Sequence, residues 1–291
     1  MENKTKEARW AIQVSLITAL VLAIAKFAVG FGTHSMGILA SALDSLMDFG
    51  SSSVNWIAVR EASRPPDANH PYGHGKIESL AGLLQSLFIC VSGLYLLFES
   101  IHRLMTGSTV HVTRASIFVM IVSFLASCMV VWQIKKAARQ TRSLVLAAES
   151  LHYYSDIFTN AGIIAALALV YWTKSEFWDL MISIVVAVYI LIASYRILRR
   201  SIDELLDANL PAASLLEIEK IILNHHPSII GVHNLRTRRV GDQIFIDFHI
   251  EIRGEDDFKQ AHLMTESMIQ AIQIRYPNAD ITVHYDPEGE M

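Results

Sequence analysis

Asp44 and Asp48 stand four residues apart in Ser41-Ala42-Leu43-Asp44-Ser45-Leu46-Met47-Asp48, inside a segment, Gly37 to Val59, that carries no other charge. In a helix, an i, i+4 pair projects from one face, one turn apart. Ser52 and Asn55 continue that face, so a polar stripe runs along an apolar body. A second stripe, Glu149, His152, Asp156 and Asn160, has offsets of 3, 7 and 11. Facing helices that each offer two ligands one turn apart can surround a single ion. Asp44, Asp48, His152 and Asp156 would then form a four-coordinate oxygen and nitrogen site for a divalent cation. A carboxylate at membrane depth costs about 2.5 to 3.5 kcal/mol on insertion scales, which argues against acids serving only to hold helices together. Two plainer readings compete: a structural polar set in which Lys26 pairs with one aspartate, and a metal-free proton relay.

The elements that must position these residues are membrane helices. The chain has 291 residues, 52% of them hydrophobic and only 18% charged, with a mean hydropathy of +0.36; this is too apolar for an ordinary soluble domain. Apolar windows mark six spans: Trp10 to Gly32, Gly37 to Val59, Leu80 to Leu104, Ala115 to Ile134, Leu144 to Trp172 and Phe177 to Leu198. Basic residues gather on one side: Lys4, Lys6 and Arg9; Arg60, Arg64 and Lys76; Lys135, Lys136, Arg139 and Arg142; Arg196, Arg199 and Arg200. The opposite loops hold Arg103, Arg114 and Lys174, so both termini are expected in the cytoplasm. A net charge of -4 gives no electrostatic footprint for nucleic acid. Cys90 and Cys128 lie inside apolar runs and are expected to be inert thiols. Met1 to Arg9 is polar and lacks a cleavable apolar core, so no removable signal peptide is expected.

After Arg200 the periodicity becomes that of a soluble domain. Leu215 to Leu223 reads as a helix, Ile230 to Val240 as a strand and Gly241-Asp242 as a hairpin turn. Ile244, Ile246, Phe248, Ile250 and Ile252 alternate with Phe245, Asp247, His249 and Glu251. A helix from Phe258 to Arg275 and a strand from Ile281 to Asp286 complete an αββαβ, ferredoxin-like order. The expected architecture is an α-helical membrane protein with six transmembrane helices over residues 1–206, followed by a cytosolic α+β domain over 207–291. His284 and Asp286 share the face of their strand opposite Ile281, Val283 and Tyr285, and His249 lies on the polar face of its own. Such a face suits metal bridging or pairing with a second copy. His225 and His226 read as surface residues. In the loop from Arg64 to Lys76, with two prolines early and two glycines late, His70 and His74 could reach one metal together with Asp67.

Ser41 to Asp48 (SALDSLMD), His70 to Glu78 (HPYGHGKIE), Glu149 to Asp156 (ESLHYYSD) and the tail histidines together resemble the cation diffusion facilitator family, and within it the bacterial YiiP-type zinc and ferrous-iron transporters. The resemblance covers nearly the whole chain. It implies a transport site on Asp44, Asp48, His152 and Asp156, and a second metal site on Asp67, His70 and His74. It further implies a binuclear tail site on His233, His249, His262, His284 and Asp286, and a charge lock between protomers from Lys76 and Asp207. The implied protein is a homodimer in the inner membrane that exports divalent cations in exchange for protons and is not an enzyme. Zn²⁺ leads Fe²⁺ by the Irving-Williams order at a thiolate-free site, with Cd²⁺ and Co²⁺ as further candidates. Two rivals belong to other classes: an intramembrane metalloenzyme, disfavoured because no His-Glu-x-x-His helix occurs, and a metal-sensing receptor, disfavoured because no effector segment occurs.

Overall fold

Long apolar runs broken only by short polar loops satisfy their backbone hydrogen bonds internally as helices. A computed structural model describes residues 2–33, 36–106, 114–141, 143–173, 177–253 and 258–288. Its first six helices are α1 (Glu2–Thr33), α2 (Met36–Ala62), α3 (Lys76–Thr106), α4 (Arg114–Thr141), α5 (Leu144–Thr173) and α6 (Phe177–Leu205). Each contains one of the six apolar segments of the sequence. Arg142 and Lys174, which enter the charge asymmetry, lie outside the described residues. Among the described residues four helices are long and apolar enough to cross a membrane, over Arg9–Gly32, Lys76–His102, Ile121–Arg139 and Met181–Leu205. In α2, Asp44, Asp48 and the serines lower the hydropathy, and many side chains in the second half of α5 lie outside the described ones.

The chain divides into two compact units, Met1–Ile202 and Asp203–Met291. In the first, small and branched residues let helices approach closely: Ala11 and Ile12 of α1, Ala58 and Val59 of α2, Val130 and Ile134 of α4, and Val145 and Leu146 of α5 share one buried cluster. Ile89 of α3, Leu151 of α5 and Ile190 of α6 form a smaller one. Large side chains such as Val91, Tyr95, Phe98 and Trp132 are exposed, as a lipid-facing surface requires.

The second unit contains α7 (Ala212–Leu223), β1 (Ile229–Val240), β2 (Gln243–Ile252), α8 (Phe258–Arg275) and β3 (Ala279–Pro287). The strand order is β1-β2-β3. β1 and β2 are antiparallel across Gly241, whose φ of 62° is a left-handed conformation that glycine adopts without steric cost. β2 and β3 are parallel, joined by the α8 crossover. Ile244, Ile246, Phe248, Ile250 and Ile252 form the buried face of β2 and pack with Ile218 and Ile222 of α7 and Met264, Met268 and Ile272 of α8. That alternation sends the intervening residues of β2 to the opposite face. Phe248 is 1% exposed, so Phe248→Ala should destabilise this unit by about 3–5 kcal/mol, read as a lower urea midpoint for proteolysis of the tail.

Candidate metal centres

Among the described residues, three sets of side chains bring metal-ligating atoms within 4.8 Å of one another: Asp48, His152 and Asp156; Asp67, His70 and His74; and His233, His249 and Asp286.

The first set lies between α2 and α5. His152 Nε2 is 2.9 Å from Asp48 Oδ1 and 4.0 Å from Asp156 Oδ2. The His152 side chain is 12% exposed, so the imidazole is shielded on nearly all sides. Asp44, one turn earlier on α2, is exposed and outside this set. The pitch of α2 fixes the face that Asp44 shares with Asp48, but not the height at which α5 meets it. Lys26 of α1 is buried and donates to Ser45 Oγ at 2.8 Å and to the Ser41 carbonyl at 3.4 Å, on the flank of α2 that carries Asp48. Ser52 and Asn55, further along the α2 stripe, turn to Glu149 of α5. The Asn160 side chain lies outside the described ones. Ser15 of α1 and Gln85 of α3 also reach Glu149, and sequence reasoning missed both. Their only signal was a polar residue inside an apolar span.

In the loop, Asp67 Oδ1 accepts from the backbone N–H groups of His70 at 2.7 Å and Asn69 at 2.9 Å, an Asx turn that fixes the chain. Gly73, at φ 80°, permits the reversal that returns His74. His70 Nδ1 is then 3.3 Å from Asp67 Oδ1, His74 Nε2 is 3.4 Å from Asp67 Oδ2, and the two rings are 4.6 Å apart. Among the described residues His74 Nδ1 has no hydrogen-bond partner, and it is buried.

Strand register builds the tail set. His233 pairs with His249 across β1 and β2, and His249 with His284 across β2 and β3, so three imidazoles form one row. Asp286, two residues beyond His284 on the same face, draws the row together: its Oδ2 is 2.8 Å from His233 Nε2 and 2.9 Å from His249 Nδ1, and its Oδ1 is 3.3 Å from His284 Nε2. The register breaks between His233 and Arg236, where Asn234 takes φ 52°. Such a bulge re-aims neighbouring side chains, and asparagine tolerates this left-handed conformation. His262 is exposed on α8, outside the set. His225 Nε2 is 2.7 Å from Ser267 Oγ, and His226 Nδ1 accepts from the Ser228 N–H.

Lys76 opens α3 in the first unit. Asp207 belongs to the second, where it ends α6: Ala208 N–H donates to the Asp203 carbonyl, Asp207 N–H to that of Glu204, and Asp207 takes φ 55°. This is a Schellman helix stop. Asp207 Oδ2 is also 3.5 Å from Arg238 Nη1.

A bundle of apolar helices enclosing a carboxylate and imidazole centre, joined to a small sheet that presents histidines, is the architecture of a membrane carrier for metal cations. Residues 12–206 match the cation efflux transmembrane domain, and residues 210–288 the cytoplasmic domain of cation efflux proteins. The cation-efflux pump FieF of Escherichia fergusonii is 37% identical over 96% of this chain and 92% of its own length. That of Pectobacterium atrosepticum is 36% identical over 92% and 89%. The metal-bound C-terminal domain of the CzcD transporter from Thermotoga maritima is 28% identical over 28% of this chain and 99% of its own, at a TM-score of 0.26. The chain belongs to the cation efflux family, the cation diffusion facilitators. It is a cation efflux transporter and not an enzyme, which removes the metalloenzyme reading.

Hydrogen bonds from the His70 and Asn69 backbones hold the Asp67 carboxyl below the usual carboxylate range, and the imidazoles of His249, His284 and His233 do the same for Asp286, that of His249 most strongly. A carboxyl depressed in the folded state contributes stability above its unfolded value, and this is lost as pH falls through the lower folded value. The Asn69 and His70 amides should therefore stay protected from hydrogen exchange down to about pH 4 and open below it, whereas Asp67→Ala should leave them open throughout. Loss of protection already near neutral pH in the parent would contradict this.

Proposed function

We propose that the protein is a homodimeric secondary transporter that exports a divalent transition metal, Zn²⁺ foremost, from the cytoplasm in exchange for protons. The observation that carries this reading is the Asp48, His152 and Asp156 set between two helices of a membrane bundle. Asp44, one turn along α2, completes it as a fourth ligand when the helices shift during the cycle. Carboxylates and imidazole bind metal only when deprotonated, so cation and protons compete for the same atoms. That competition couples the two fluxes, and alternating access exposes the centre to one side at a time. His152 is the group whose protonation releases the metal. The donor set of oxygens and nitrogen without thiolate favours Zn²⁺ over Fe²⁺ and admits Cd²⁺ and Co²⁺.

On this reading residues 1–206 carry the cation and residues 207–291 bind metal and hold the dimer, with both termini on the cytoplasmic side of the inner membrane. The row of His233, His249 and His284 closed by Asp286 fits a resident metal, with His262 as an additional ligand. Asp67, His70 and His74 form a further site on the loop. Lys76 and Asp207 make a charge lock between protomers. An exposed pair is worth about 0–1 kcal/mol, so the lock gains strength only where the dimer buries it.

Flux into proteoliposomes tests the reading. Zn²⁺ uptake should rise with an opposing proton gradient in the parent protein, vanish in Asp48→Ala, and lose its pH-gradient dependence in His152→Ala. Undiminished uptake by Asp48→Ala would overturn the assignment, and gradient-dependent uptake by His152→Ala would remove His152 from the coupling.

A further inference from the structure

Glu149 is a fully buried carboxylate, 0% exposed, on the same face of α5 as His152. Its Oε1 accepts from Ser15 Oγ of α1 and Ser52 Oγ of α2, each at 2.5 Å. Its Oε2 accepts from Asn55 Nδ2 of α2 at 2.5 Å and from Gln85 Nε2 of α3 at 3.0 Å. Asn55 Nδ2 also donates to Gln85 Oε1, and Ser15 Oγ lies 3.0 Å from Ser52 Oγ and 3.1 Å from Tyr153 Oη. A carboxylate offers about four acceptor positions, and four neutral donors fill them here. Glu149 therefore has no lone pair left for a metal ion or for a base's role. What it has is a tie to three other helices.

That tie sits beside the metal centre. His152 follows Glu149 by three residues, about 4.5 Å along the axis at 1.5 Å per residue. α2 and α5 face each other in opposite order, Asp48 meeting His152 while Ser52 and Asn55 meet Glu149. The Glu149 layer is thus the rung next to the Asp48–His152 rung. Metal centres need their ligands held within about 0.5 Å and 10–20° of the productive geometry.

We propose that Glu149 is a positioning residue of the transport centre: its carboxylate clasps α1, α2 and α3 to α5 and so sets the rotation and height at which His152 and Asp156 meet Asp48. The inference rests on the transport reading given above. Because two of the clasped helices, α1 and α3, contribute none of the four transport ligands, the clasp extends control of the centre to helices that do not touch the ion.

Zinc titration calorimetry of the full chain in detergent tests this. The centre is identified as the binding component that Asp48→Ala removes. Glu149→Gln keeps the shape of the side chain and can be satisfied by turning the serine hydroxyls and neighbouring amides. It should weaken that component about 10- to 100-fold, the range seen when partners that orient metal ligands are lost, while the loop and tail components stay unchanged. Gln85→Met should weaken it less, and the double variant should match Glu149→Gln rather than the product of the two effects, because both break one clasp. A transport-centre affinity equal to the parent's in Glu149→Gln and in Gln85→Met would overturn the proposal, even with a lowered Tm, since the clasp would then only hold the bundle. Should Glu149→Gln fail to fold, Gln85→Met and Ser52→Ala decide it by the same criterion. If Asp48→Ala removes no component, the transport reading fails, and the inference with it.

Discussion

The contact between Asp48 and His152 is the constraint on which the rest of the membrane unit depends. It places an acid and an imidazole 2.9 Å apart inside an apolar helix bundle, where neither group would persist without partners. The remaining polar residues serve that placement in layers. Lys26 anchors to Ser45 on the α2 flank, Asp156 stands one turn beyond His152, and Glu149 ties the adjoining rung to three helices. Small and branched residues such as Ala11, Val59 and Val145 close neighbouring helix contacts.

In the tail, register does what helical pitch does in the membrane. Two strand pairings align His233, His249 and His284, and Asp286 gathers their nitrogens from the adjacent position on β3. The isoleucines and Phe248 on the other face of β2 bind the sheet to α7 and α8 and so fix the plane from which the imidazoles project. The histidine row and the core packing therefore use opposite faces of the same strand.

Much of this was legible because it repeats. Hydropathy marks all six long helices, and the offsets of Asp44, Asp48, Glu149, His152 and Asp156 define two faces without any coordinates. Alternation from Ile244 to Ile252 separates the core face from the face that carries His249. Features that occur once stayed hidden. Ser15 and Gln85 belong to no polar stripe of helical pitch like those of α2 and α5, and nothing in their neighbours announces Glu149 as their partner. The Asn234 bulge and the Asp207 helix stop depend on left-handed backbone that asparagine and aspartate permit but do not require. Asp44 marks the limit of periodicity most clearly, because pitch gives the face of a residue but not the level at which a partner helix crosses it.

The most direct test is zinc X-ray absorption spectroscopy on the full chain with the loop and tail histidines His70, His74, His233, His249, His262 and His284 replaced by alanine. A transport site built on His152 predicts one bound Zn²⁺ with nitrogen and oxygen neighbours at about 2.0–2.2 Å and the outer-shell signature of a single imidazole, which disappears in His152→Ala. A chain that retains no zinc, or a spectrum that His152→Ala leaves unchanged, would contradict it.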